Sequence, residues 1–84
     1  MYRVEFARPA AKQLASLPVK VRTRLISRIE SLGINPRPFG VETLTDGGGA
    51  LRIRVGAYRV IYEVRNAVLL VLVLKIGHRR EIYR

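Results

Sequence analysis

The 84-residue chain has no cysteine, one histidine and only six acidic residues. Without cysteine there is no disulfide to brace the fold and no thiolate metal site. A lone histidine among so few carboxylates leaves no His/Asp/Glu cluster of the kind that holds a metal. Long hydrophobic runs are missing too. The opening MYRVEFARP has no apolar stretch of signal-peptide length. The longest apolar run, residues 67–74, is eight residues, against the ~20 that a bilayer-crossing helix needs. These absences predict a cytoplasmic protein with no metal, no cofactor and no membrane partner. There are no internal repeats or low-complexity tracts, and the length predicts one domain over residues 1–84.

Cations are what the chain has in excess. Sixteen Lys and Arg against six acids give a formal net charge of +10, and only Lys12, Lys20 and Lys75 are lysine. Guanidinium is a planar fork that matches phosphate and stacks on bases, whereas an ammonium is a compact point charge. So arginine-rich a surface favours anionic partners, either nucleic acid or an acidic protein.

Hydrophobic periodicity predicts an α+β fold. Val4 and Phe6 alternate with polar neighbours in a short N-terminal strand. Pro9 suits the first turn of a helix, with Ala10, Leu14 and Leu17 on one stripe. Pro18 breaks that helix and opens a second, in which Val21, Leu25, Ile29 and Leu32 face the core. Gly33 is a natural terminator, and Pro36 and Pro38 prevent the helix from resuming. Residues 34–49 read as a connector. Its DGGGA segment lacks the Gly-x-x-x-x-Gly-Lys-Ser/Thr pattern of a phosphate cradle and reads as a hairpin-type loop.

After Gly49 the period becomes two. Leu51, Ile53 and Val55 point one way, and Arg52 and Arg54 the other. Tyr58, Val60, Tyr62 and Val64 share a face, opposite Arg59, Ile61, Glu63 and Arg65. VLLVLVLKI reads as a strand buried on both faces, and GHRREIYR as extended. The prediction is an N-terminal strand, a two-helix hairpin and an antiparallel meander of three to four strands, with the helices on one face of the sheet.

In that meander, turns at 56–57 and 65–67 bring arginines from three segments side by side: Arg52 and Arg54, Arg59, and Arg79 with Arg80. Each alone is an ordinary solvated residue. Together around an aromatic hydroxyl they have the groups that phosphodiester cleavage requires. Guanidiniums neutralise charge on a pentavalent phosphate, and a positioned tyrosine exchanges a proton. Tyr58 and Tyr62 fit the core better than a binding platform. His78 is either a phosphate or base contact or simply exposed. Ser16, Ser27 and Ser31 lack a histidine partner, which argues against a serine nucleophile.

LRIRVGAYRVIYEV followed by VLVLKIGHRREIYR resembles the RelE toxins of bacterial and archaeal toxin–antitoxin systems. The upstream strand, the helical hairpin carrying LP and the NPRPFG segment resemble the same family, so the likeness spans the whole chain. It implies a fold similar to that of microbial ribonucleases. The implied activity is a metal-independent, ribosome-dependent endonuclease that cuts mRNA in the ribosomal A site, held in check by a cognate acidic antitoxin. Arg52 and Arg54 match positions where members often carry RNA-contacting lysines. Arg59 matches the arginine that stabilises the scissile phosphate, Arg79 the downstream catalytic arginine with Arg80 as the alternative, and Tyr83 the C-terminal tyrosine. Arg80, His78 and Arg84 are the implied RNA-binding residues. Two other readings remain open. One is a ParE-type toxin on the same scaffold that inhibits DNA gyrase without nuclease activity, and the other is a non-catalytic nucleic-acid-binding domain.

Overall fold

The computed structural model describes residues 1–44 and 48–78. Seven elements follow one another: β1 (Arg3–Phe6), α1 (Arg8–Ala15), α2 (Val19–Ser31), β2 (Glu42–Thr43), β3 (Leu51–Val55), β4 (Tyr58–Arg65) and β5 (Leu70–His78). The strands form one five-stranded sheet in the order β1-β5-β4-β3-β2. From β2 to β5 the sheet is an antiparallel meander, while β1 pairs in parallel with β5, from Arg3↔Leu70 to Phe6↔Val73. Both helices pack on one face, so the α+β expectation holds for a sheet that is mixed at its β1 edge.

The helices form where the local chemistry directs. Pro9 occupies the first turn of α1, and Pro18 stands at the start of α2, positions where a missing N–H costs nothing. Ala10 and Leu14 of α1, and Leu25 and Ile29 of α2, are buried. They meet Leu51, Ile53, Val55, Val60, Tyr62, Val71, Val73 and Ile76 from the sheet in a single core cluster. Full burial of each large aliphatic contributes about 1.5–3 kcal/mol.

Gly33 follows α2 without a left-handed backbone, so conformational freedom is not why it is glycine. Close approach is the reason. A Cβ there would lie 2.9 Å from the Tyr2 carbonyl oxygen and 3.2 Å from that of Glu30, while the Tyr2 N–H donates to the Gly33 carbonyl at 2.7 Å. The connector after it is tied down by Tyr62, whose buried hydroxyl donates to the Pro36 carbonyl at 2.6 Å.

Two expectations shift. The connector contains β2, whose two exposed residues are too few to leave a periodic signal. The apolar run expected to be wholly strand begins in a turn. Residues 66–68 form a 3₁₀ turn, Leu69 has φ 50°, and Val68 and Leu69 are exposed. The strand proper starts at Leu70. A register shift at Ile61/Tyr62 leaves Leu74 unpaired in the β4–β5 ladder, as a bulge.

Candidate functional site

The face of the sheet away from the helices carries the cations, and the strand register arranges them in rows. One row runs Glu42, Arg52, Ile61, Lys75 across β2 to β5. The next, nearer the Gly56–Ala57 turn, runs Arg54, Arg59, Gly77. Like charges directly opposite one another destabilise a sheet, and Arg54 faces Arg59 directly. Arg59 is also the one charged residue among those described that is buried, at 5% exposure. Arginine is almost never buried without compensating interactions.

Charge is segregated along the same face. Toward the opposite end of the sheet Arg3 pairs with Glu5 at 2.8 Å and Arg65 with Glu63 at 2.9 Å. Leu70 and Leu72 of β5 lie between these self-neutralised pairs. In the cationic half the one described acid is Glu42 at the β2 edge, 2.7 Å from Arg52. The hydrogen bond from Arg52, and then its charge, hold the Glu42 carboxyl below the usual carboxylate range. No described acid forms an ion pair with Arg54 or Lys75.

A cleft of about 340 Å³ opens beside this face at the end of β5, where Gln13, Ser16 and Leu17 of the first helical segment approach Tyr58, Lys75 and His78. It exists because β1 stops early. The Ala7 N–H donates to the Val73 carbonyl, the chain turns into α1, and β5 beyond that point has no described strand on the side away from β4. Gln13 takes over part of that missing role, its Oε1 accepting the Ile76 N–H at 2.7 Å.

Among the expected site residues, Arg52, Arg54 and Arg59 do converge on one face. His78 ends β5 opposite Tyr58, with the two rings edge-on at 5.5 Å between centroids. Its register puts it on the helix side of the sheet, apart from the arginine rows. Arg79, Arg80, Tyr83 and Arg84 lie outside the described residues. The Tyr62 hydroxyl points into the connector, and burial pushes its pKa up to about 12, consistent with a core role. Sequence reasoning missed Lys75 and Gln13. Lys75 was absorbed into an apolar run in which its charge was the available signal, whereas Gln13 gave none. Among the described residues no group of three His, Cys, Asp or Glu could hold a metal, and no helix is long and apolar enough to cross a membrane.

Two helices on one face of a mixed sheet, with arginines in rows on the other, make this a small cationic α+β protein. The chain belongs to the family described as ParE toxin of the type II toxin–antitoxin system, whose model matches residues 4–83, within the wider RelE/ParE superfamily. It is 27% identical to toxin RelG of Mycobacterium tuberculosis, over 99% of this chain and 97% of that one. Among solved structures it resembles the archaeal RelE of the RelE–RelB complex from Pyrococcus horikoshii, at 34% identity and a TM-score of 0.80, covering 93% of this chain and 94% of that one. It also resembles the isolated E. coli RelE toxin, at 25% identity and a TM-score of 0.81, covering 99% and 92%.

Proposed function

We propose that this toxin is a metal-independent endoribonuclease that cuts mRNA in the ribosomal A site and thereby stops translation. The observation that carries the reading is the buried Arg59 directly opposite Arg54, one row from Arg52. Guanidiniums fixed by a sheet are preorganised for the charge that builds on phosphorus as a ribose 2′-hydroxyl attacks the adjacent phosphate. The 2′-oxygen–phosphorus bond forms as the bond to the 5′-oxygen breaks, leaving a cyclic phosphate and a free 5′-hydroxyl. Arg59 stabilises the scissile phosphate, with Arg52 and Arg54 beside it and Arg79 and Tyr83 completing the set.

Guanidinium does not deprotonate near neutral pH, so these arginines provide charge and position but no base. The 2′-hydroxyl proton passes to Tyr83 or to a group on the ribosome, and a proton is returned to the departing 5′-oxygen. A set this poor in acid–base groups explains a dependence on the ribosome to orient the substrate.

A cognate antitoxin fits a chain of net charge +10, since an acidic partner would cover the cationic face during storage. The complexes solved for the Pyrococcus horikoshii and E. coli relatives with RelB support such a partner.

The family model's ParE description favours a second reading, gyrase inhibition through protein contacts. The two separate in one comparison. In a translation extract the chain should create new mRNA 5′ ends within A-site codons, detected by primer extension, and Arg59→Ala should reduce them at least ~100-fold, the scale for losing one transition-state charge contact. Intact mRNA together with inhibited gyrase supercoiling would reverse the order.

A further inference from the structure

We propose that Lys75 is the fourth cation of the site, an RNA-phosphate contact on β5 facing Arg52 across Ile61. The assignment deepens the nuclease reading and rests on it. Lys75 shares the row of Arg52 and Ile61, so its Cα stands two strand spacings from that of Arg52, about 10 Å. Arg59, opposite Gly77, is its diagonal neighbour on β4, at roughly 7–8 Å between Cα atoms. Gly77 puts no side chain between Arg59 and the open edge of β5. A single strand of RNA crossing the sheet from β3 to β5 would therefore meet Arg52 and Arg54, then Arg59, then Lys75, with each step toward the free edge unobstructed by a strand neighbour.

The surroundings of Lys75 point the same way. It is the one charged residue in the β5 segment LVLVLKIGH. It is exposed, forms no ion pair among the described residues, and lies in the half of the face where acids are scarce. The competing explanation is structural, because a lysine on an unpaired strand edge also discourages edge-to-edge association. That role needs no RNA contact.

Salt dependence separates the two. The full-length chain is titrated with a single-stranded RNA oligomer carrying 2′-O-methyl riboses, which blocks cleavage, at several salt concentrations. Each phosphate neutralised contributes about 0.7 to the slope of log K against log salt. Lys75→Gln should lower the slope by about that amount and weaken binding severalfold at low salt, with a monomeric, folded protein confirmed by light scattering and circular dichroism. Lys75→Arg should keep the slope. Lys12→Gln, at an exposed position of α1, should leave it unchanged.

An unaltered slope in Lys75→Gln overturns the assignment, and so does an equal fall in Lys12→Gln, which would mean that net charge alone is being sensed. Aggregation of Lys75→Gln with its slope intact selects the edge-protection role. A wild type with no salt-dependent RNA binding overturns this assignment, and cleavage on programmed ribosomes then decides the nuclease reading separately. A Lys75-dependent slope in a chain that cuts nothing on programmed ribosomes overturns the nuclease reading and leaves Lys75 as an RNA contact.

Discussion

Tyr62 and Gln13 each hold a segment through a single hydrogen bond, which makes them sharp tests. Tyr62→Phe leaves the Pro36 carbonyl without its donor and should cost about 1–3 kcal/mol, read as a lower urea midpoint. The same residue governs alkaline behaviour. Burial raises its folded pKa to about 12 from an ordinary ~10, so the unfolded chain loses this proton first. Its contribution to stability is complete below pH ~10 and is lost as pH climbs toward 12. Stability curves of wild type and Tyr62→Phe should therefore converge across that window. Gln13→Ala leaves the Ile76 N–H without its partner and should cost about 1–2 kcal/mol. Its amide should also exchange faster with solvent, and an unchanged exchange rate at Ile76 would refute the role given to Gln13.

At the scale of elements, the turn between β4 and β5 holds the one non-glycine residue with positive φ among those described, Leu69. The left-handed region costs an L-residue about 1–2 kcal/mol, and this side chain is half exposed. Leu69→Gly should thus be neutral or stabilising by up to ~1 kcal/mol, measured by thermal unfolding. Gly33→Ala should do the reverse, because its Cβ would press on the Tyr2 carbonyl. The turn also marks the limit of what periodicity could foresee. Alternation in LRIRV and the spacing of Leu25 and Ile29 announced β3 and α2, since one buried face imposes its period on sequence. Val68 and Leu69 are as apolar as the strand they precede, so composition could not separate turn from strand. β2 is too short to have a period. Arg52, Arg54 and Arg59 were legible as a group because the one tight turn at Gly56–Ala57 fixes their register, whereas Lys75 joins them only once the bulge at Leu74 sets which way it points.

Over the whole molecule, a net charge of +10 is distributed so that acids neutralise one end of the open face and leave the other end cationic. Glu42 is the exception. Its folded pKa is depressed by Arg52, so the ion pair is present above the ordinary carboxylate pKa of about 4.3 and is lost as pH falls through the lower folded value. Removing the carboxylate should have the same effect at neutral pH. Glu42→Gln should tighten binding to single-stranded RNA at low salt, since it removes the one described acid from the cationic row. The gain should fade as salt rises, as measured by fluorescence anisotropy.

The order β1-β5-β4-β3-β2 also dictates when the protein comes into being. The first strand and the meander have no contact in the sheet until β5 slots between β1 and β4. Contacts this distant in sequence close last, and β5 is the last of the described strands. Until β5 is in place, the arginines of β3 and β4 therefore have no finished surface to display them. The ribosome that makes this toxin has passed residue 78 before the weapon exists.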